Sequence, residues 1–198
     1  PPVPNQLRED FRLGIATDPA VAKAAVGAAV PSVIAYRPAS FESRQAAYEG
    51  DASDEAAFKK FLNSASIPLA GVYDAGNAKV YAASGLPRIT VWATVDKQKN
   101  PKQITYFINR LRKVAAGYKD KANFVLENKA GSREFGELGF GAQEVGIGAV
   151  DATGGKYKSD ATTFSVEAVD AFTKAFLAGD IAKHVKSEPI PTSNDGDV

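Results

Sequence analysis

One stretch of the chain repeats apolar residues with the period of an α-helix, and it also contains a dense cluster of positive charge. Residues 97–121 read KQKNPKQITYFINRLRKVAAGYKDK, with eight Lys or Arg residues against one Asp. At about 100° per residue, a helix over residues 103–116 separates its apolar and polar residues onto two faces. The apolar face comprises Ile104, Phe107, Ile108, Leu111, Val114 and Ala115, and the opposite face comprises Lys102, Tyr106, Asn109, Arg110 and Lys113. So concentrated a positive charge predicts a surface for an acidic partner.

The chain before residue 67 has the pattern of a small α/β unit. Asp18 is an N-cap candidate, and Pro19 suits the first position of the helix that follows it. The last helix of the unit is predicted to bury Phe58, Phe61 and Leu62. The apolar run 32–36 is typical of a strand buried on both faces. The predicted elements are a strand over 11–16, a helix over 19–27, a strand over 32–36, a return strand over 45–49 and a helix over 54–63.

A longer series of elements is predicted after residue 67. Gly154 and Gly155 indicate a hairpin turn, and Ser165 and Gly179 mark the two ends of a final helix that buries Val166, Val169, Phe172, Phe176 and Leu177. Before that helix, the pattern predicts strands over 69–73, 88–94, 123–127, 145–152 and 156–158, and helices over 77–83 and 132–138 besides the basic helix.

The two parts of the chain repeat one order of elements: strand, helix, apolar strand, hairpin, strand and capped helix. In the second part a further strand, helix, strand and the basic helix come first, which gives a βαβαβ unit followed by a hairpin. This order predicts an α/β fold of two tandem thioredoxin-like domains, each a mixed sheet flanked by helices, the first lacking its opening strand and helix. We assign residues 1–66 to the first domain, 67–182 to the second, and 183–198 to a linker toward a following domain.

Composition narrows the possible chemistry. The chain has 198 residues, 44% of them hydrophobic, a net charge of +1, a single histidine, and neither cysteine nor methionine. Thiol catalysis, disulfides and cysteine-based zinc sites are therefore excluded for this chain. The nearly neutral charge gives no global reason to expect nucleic acid or membrane binding, and no cofactor motif is present. Because the sequence opens with PPVP, we interpret it as a piece of a longer protein.

Four segments carry a resemblance to a known family. They are LREDFRLGIAT at 7–17, YRP at 36–38, KNPKQITYFINRLRKVA at 99–115, and KSEPIPTSNDGDV at 186–198. The chain resembles the non-catalytic b and b′ thioredoxin-like domains of the protein disulfide isomerase family, in particular the glycoprotein-dedicated member that partners calnexin and calreticulin. The resemblance implies a location in the endoplasmic reticulum lumen, no oxidoreductase activity of this chain by itself, and a role as scaffold during glycoprotein folding.

The resemblance also implies a docking site. In the family, a basic surface of the second domain binds the acidic arm of calnexin or calreticulin, and Lys102 and Arg110 match its positions. Arg44 lies near a further basic position in the first domain, while Lys113 and Tyr106 are neighbours on the helix that we expect to assist. Pro31 occupies the place of a characteristic cis-proline in the first domain, and in the second domain Gly146 replaces it, which leaves a more pliable backbone.

Other readings of the chain remain open. A general chaperone module would hold unfolded polypeptide in an apolar groove of the second domain. A calcium-storage protein of the calsequestrin type would need a strongly acidic chain, whereas this chain has a net charge of +1. An independent enzyme is the weakest alternative, because the chain offers few candidate nucleophiles or metal ligands. Trp92 is expected in the core, Glu127 is expected to be solvated or to cap a helix, and His184 is expected near carbonyls at the end of the last helix.

Overall fold

The computed structural model describes residues 11–26, 33–51, 53–96 and 98–185. These residues contain a two-stranded sheet and a five-stranded sheet, which lie on either side of residue 67. Pro31 and most of the predicted linker fall outside the described residues, so their predicted properties remain predictions.

The first unit consists of a helix, a hairpin and a second helix. They are α1 (Pro19–Val26), β1 (Val33–Tyr36), β2 (Gln45–Tyr48) and α2 (Glu55–Ala65). The strands β1 and β2 are antiparallel, and Asp18 and Asp54 accept hydrogen bonds from backbone amides at the starts of α1 and α2. Phe58 and Phe61 are only half-buried and contact the ring of Tyr48.

Two predictions for this unit are wrong. Residues 11–16 form no strand, and Ile15 is 87% exposed. A strand needs a partner for its backbone groups, and within the described residues these positions pair with none. The strand β1 is not buried on both faces either, since Tyr36 is 65% exposed and its other residues are half-buried.

In the described part of the second unit there are five strands and four α-helices, and a 3-10 helix, Ala116–Tyr118, follows the second of these helices. The strands and α-helices are β3 (Ala70–Tyr73), α3 (Ala78–Ala83), β4 (Arg88–Ala93), α4 (Pro101–Ala115), β5 (Asn123–Asn128), α5 (Arg133–Glu137), β6 (Val145–Val150), β7 (Lys156–Lys158) and α6 (Val166–Ala178). The strand order is β3-β5-β4-β6-β7, with β5 parallel to β3 and β4, and with β6 and β7 antiparallel to their neighbours. This mixed sheet between helices is the thioredoxin-like fold that the sequence predicts.

The two faces of the five-stranded sheet differ in chemistry. One face is apolar and packs against α4 and α6, where Leu111 and Val169 are fully buried. Ser165 caps α6, and Gly179 ends it in the left-handed conformation with φ 83°. Leu177 lies on the outer side of α6 and is 38% exposed, so its predicted burial is wrong.

The opposite face of the sheet carries polar residues and glycines between its buried aromatic residues. Arg88, Thr90 and Trp92 alternate along β4 on this face, and the cross-strand partners of Thr90 and Trp92 on β6 are Gly148 and Gly146. The short helices α3 and α5 lie next to this face, since Tyr81 of α3 and Phe135 of α5 pack against its buried residues. We call this side of the sheet the polar face.

Candidate docking surface and cleft

The basic helix forms as its periodicity predicts. Asn100 caps α4 by accepting a hydrogen bond from the amide of Gln103 at 3.3 Å, and Pro101 follows as the first helical residue. The predicted apolar residues face the sheet, with Ile104 half-buried and the others buried. The outer side, which we call the basic face, comprises Lys102, Tyr106, Asn109, Arg110 and Lys113. All of these are exposed except Arg110, which is partly covered.

Arg110 is held on the basic face by Tyr106. The guanidinium carbon lies 3.5 Å from the centre of the Tyr106 ring, in the position of a cation–π contact. Tyr106 is in turn fixed by ring contacts to Phe107 and Phe164. Tyr106 was expected to assist in docking a partner, and in the structure one side of its ring is already occupied by Arg110.

The predicted cations of the basic face form no ion pair among the described residues. Lys102 and Lys113 extend into solvent from neighbouring positions around α4, while Arg110 lies to one side. Arg44 is exposed at the base of the loop that connects β1 and β2. That loop reaches α4, because Arg112 donates a hydrogen bond to the carbonyl of Ser40. This role of Arg112 could not be predicted from the sequence. Arg112 lies between the apolar and the polar face of α4, and a solvated arginine is equally common at such a position.

A cleft of about 280 Å³ opens on the polar face between α3 and the hairpin of β6 and β7. Tyr73, Tyr81, Arg88, Glu134 and Asp151 are among its lining residues. Arg88 forms an ion pair with Glu134, and its guanidinium carbon lies 3.8 Å from the centre of the Tyr73 ring. The Nε atom of Arg88 is buried without a hydrogen-bond partner among the described residues. The cleft therefore combines a largely apolar and aromatic lining with the charged groups of Arg88, Glu134 and Asp151.

A buried hydrogen-bond cluster lies on the same face of the sheet. The indole nitrogen of Trp92 donates to Glu127 Oε2 at 2.9 Å and to Ser132 Oγ at 3.0 Å, and Ser132 also caps α5. Burial raises the pKa of the Glu127 carboxyl, an effect that Glu134 reinforces and that Ser132, Arg88 and Trp92 oppose. Trp92 is a core residue, as predicted. The prediction for Glu127 is wrong, because this side chain is half-buried beneath an indole on the neighbouring strand.

His184 also differs from its prediction. Its ring lies near the carbonyl of Glu137, 3.1 Å away, which is at the end of α5 and not of the last helix. Its backbone amide donates to the carbonyl of Lys156 at 2.7 Å, so residues after α6 return to the edge strand β7. These contacts hold His184 against the sheet.

The described residues contain no group of three or more His, Cys, Asp or Glu side chains placed to hold a metal ion. None of the helices in the described part of the chain has the length and apolar character needed to cross a membrane.

Comparisons with known proteins agree with this fold. A thioredoxin-like domain model matches residues 3–175. Over 203 residues, 99% of this chain, the sequence is 29% identical to a protein disulfide-isomerase of Alternaria alternata, 44% of which is covered. It is 26% identical to the protein disulfide-isomerase of Aspergillus niger over 98% of this chain and 37% of that protein. It is 25% identical to protein disulfide-isomerase A4 of Bos taurus over 98% of this chain and 31% of that protein.

The chain thus spans less than half of the length of these relatives. The solved structure of the bb fragment of ERp72 matches with a TM-score of 0.70 over 90% of this chain and 80% of that one. The two sequences are 20% identical, so this likeness shows the fold. With a family model that covers most of its length, a matching sheet topology and protein disulfide-isomerases as its relatives, the chain belongs to the thioredoxin-like domain family.

Proposed function

We propose that this chain is the non-catalytic scaffold and docking region of an endoplasmic-reticulum protein disulfide isomerase. In this proposal the basic face of α4 binds the acidic arm of a lectin chaperone of the calnexin or calreticulin type, which presents folding glycoproteins. The observation that carries the proposal is the set of exposed cations on α4 that no acidic side chain in the described part of the structure neutralises. The kinship with protein disulfide-isomerases and the absence of cysteine support the scaffold role.

The spacing of the basic face suits an extended acidic segment. Lys102 and Arg110 are eight residues apart in one helix, which corresponds to about 12 Å along its axis. An extended peptide advances by about 3.3 Å per residue, so acidic side chains roughly four positions apart reach both cations. The Arg110 guanidinium stacks on Tyr106, and its Nη1 donates to the carbonyl of Tyr106 at 3.4 Å, so the edge formed by Nε and Nη2 is the one proposed to make a bidentate contact with a carboxylate. Such contacts raise specificity and association rate and weaken as salt increases.

The proposal is tested by calorimetry with the isolated acidic arm of calnexin at low and at high salt. Lys102→Ala and Arg110→Glu are each expected to weaken binding at least tenfold without changing the circular dichroism spectrum. The matched control is Lys174→Ala, which removes an exposed lysine of α6 on another part of the unit. Wild-type affinity in both variants of the basic face, or binding that does not depend on salt, contradicts the proposal.

The cleft favours a second candidate function, the binding of unfolded polypeptide. Its lining residues Tyr73, Tyr81 and Leu86 offer apolar contact, and the guanidinium of Arg88 lies beside them in the cleft. This function predicts peptide binding that persists at high salt and that Arg88→Met weakens, while Lys102→Ala leaves it unchanged. The same calorimetric series with an apolar peptide therefore separates the two candidates.

A further inference from the structure

Arg37, which directly follows β1, is buried to an extent that is unusual for an arginine. Its side chain is 9% exposed. Nε donates a hydrogen bond to the carbonyl of Ala65 at 2.9 Å, and Nη2 donates to the carbonyl of Ile67 at 2.8 Å. Nη1 forms an ion pair with Glu42 at 2.8 Å. All three guanidinium nitrogens are therefore satisfied, in the fork geometry that arginine alone among the cationic side chains provides.

Glu42 completes the arrangement from the other side. One carboxylate oxygen receives Arg37, and the other, Oε2, accepts a hydrogen bond from the backbone amide of Leu69 at 3.0 Å. Burial alone raises the pKa of Glu42, but the hydrogen bonds from Leu69 and Arg37 outweigh burial and lower it, so the carboxyl is ionised at neutral pH. Between them, Arg37 and Glu42 contact three backbone groups of residues 65–69, the connector from α2 to β3.

A second contact joins the same loop to the larger sheet. Loop 37–44 is closed at its base by a hydrogen bond from the amide of Arg37 to the carbonyl of Arg44 at 2.9 Å. At its tip, the carbonyl of Ser40 accepts a hydrogen bond from Arg112 of α4. The loop is therefore attached at two separate places, the connector and α4. Two separate attachments restrict rotation in a way that a covalent connector alone does not.

We propose that Arg37 and Glu42 form a clasp that fixes the orientation of the two-stranded sheet relative to the five-stranded sheet. The clasp immobilises the connector, and the contact between Ser40 and Arg112 stops the loop from swinging away from α4. Removing Arg37 leaves the carboxylate of Glu42 and the carbonyls of Ala65 and Ile67 without their partner at a largely buried site, which costs more than removing one member of an exposed ion pair. All contacts of the clasp lie within this chain, so the inference does not depend on the docking function proposed above.

Because the chain contains no cysteine, two spin labels can be introduced at chosen positions. Labels at Lys60→Cys in α2 and Lys174→Cys in α6 are expected to give one narrow distance distribution by pulsed electron resonance. Arg37→Met is expected to broaden this distribution at least twofold and to speed amide exchange at Leu69 at least tenfold. Arg44→Met, which removes an exposed arginine of the same loop, is the matched control and is expected to leave both measurements unchanged.

If Arg37→Met does not fold, Arg37→Lys and Glu42→Gln decide the question. A lysine keeps the charge facing Glu42 but cannot donate to the carbonyls of Ala65 and Ile67 together, so an intermediate broadening is expected. Glu42→Gln is expected to speed exchange at Leu69 while the circular dichroism spectrum stays that of the wild type. A wild-type distance distribution together with wild-type exchange at Leu69 in these variants overturns the clasp.

Discussion

The carboxylate of Glu127 accepts a hydrogen bond from the indole of Trp92, across two parallel strands whose Cα positions are in register. Burial raises the pKa of this carboxyl above its ordinary value of 4.5. A carboxyl with a higher pKa in the folded state binds its proton more tightly there. Its contribution to stability is therefore fully present below pH 4.5 and is lost as the pH rises through the folded-state pKa.

We accordingly expect Glu127→Gln to raise the free energy of unfolding at pH 7, because the amide keeps an acceptor for Trp92 and avoids burying a charge. The advantage is expected to shrink as the pH falls to 4.5 and below. Urea unfolding followed by the fluorescence of Trp92, the single tryptophan, measures it directly. Glu144→Gln, at an exposed position, is the control. A lower stability of Glu127→Gln at pH 7, or a difference that does not change with pH, contradicts this expectation.

Gly146 is required by packing between β6 and the aromatic cluster. A Cβ atom at this position would lie 2.9 Å from Phe140 Cδ2 and 3.0 Å from Phe135 Cε2, closer than real side chains approach. Gly146→Ala is expected to lower the free energy of unfolding by about 1–3 kcal/mol, the usual cost of overpacking a core.

The control for this substitution is Gly136→Ala in α5, where an added Cβ would meet no atom within 4 Å. In a helix, that change is expected to be neutral or stabilising by up to about 1 kcal/mol. Both values come from chemical denaturation at neutral pH. Wild-type stability of Gly146→Ala would show that the aromatic rings move aside freely.

Asp151 holds the turn between β6 and β7. Its Oδ1 accepts hydrogen bonds from the amides of Thr153 and Gly155 and from the Thr153 hydroxyl, and Oδ2 accepts one from Tyr157. The hydrogen bond from the Thr153 side chain is the largest influence that lowers the pKa of Asp151 to about 2, and burial opposes it. Its contribution to stability is thus present above pH 3.8 and is lost as the pH falls toward 2.

Asp151→Asn is expected to lower the free energy of unfolding at pH 7 by about 1 kcal/mol, since the charged acceptor becomes a neutral one and solvent screens much of the difference. The deficit is expected to vanish near pH 2. Unfolding at a series of pH values, with the exposed Asp160→Asn as the reference variant, measures this dependence. Equal stability of Asp151→Asn and the wild type at pH 7 would rule out the expected contribution.

The helices and most strands could be predicted from the sequence because their signals are local. The two faces of α4 follow from the spacing of residues three and four apart, and the caps at Asn100, Ser132 and Ser165 are formed by side chains next to the helices they begin. The order of strands in the second unit follows from short connections and right-handed crossovers. These rules predicted the thioredoxin-like sheet and the location of the basic face.

Strand formation depends on distant partners, and there the sequence was insufficient. Residues 11–16 alternate like a strand but pair with none of the described strands, so the pattern alone could not decide their structure. Leu177 has a suitable spacing on α6 but is only partly covered by its neighbours and stays 38% exposed. Whether a side chain is buried depends on its own segment and on the surface that packs against it, and the sequence of the segment gives no information about the second surface.

By itself, the sequence determined the fold class, the basic face of α4 and the absence of thiol chemistry, because periodicity and composition are properties of the chain alone. Three contacts were decided only by the tertiary structure. Glu127 accepts a hydrogen bond from Trp92, the ring of Phe140 packs against Gly146, and Arg37 donates hydrogen bonds to the carbonyls of Ala65 and Ile67. Glu127 lies 35 residues from Trp92 and Arg37 lies 28 residues from Ala65, whereas Phe140 is close to Gly146 in sequence. In each case the geometry is set by packing, and packing is decided when the elements meet.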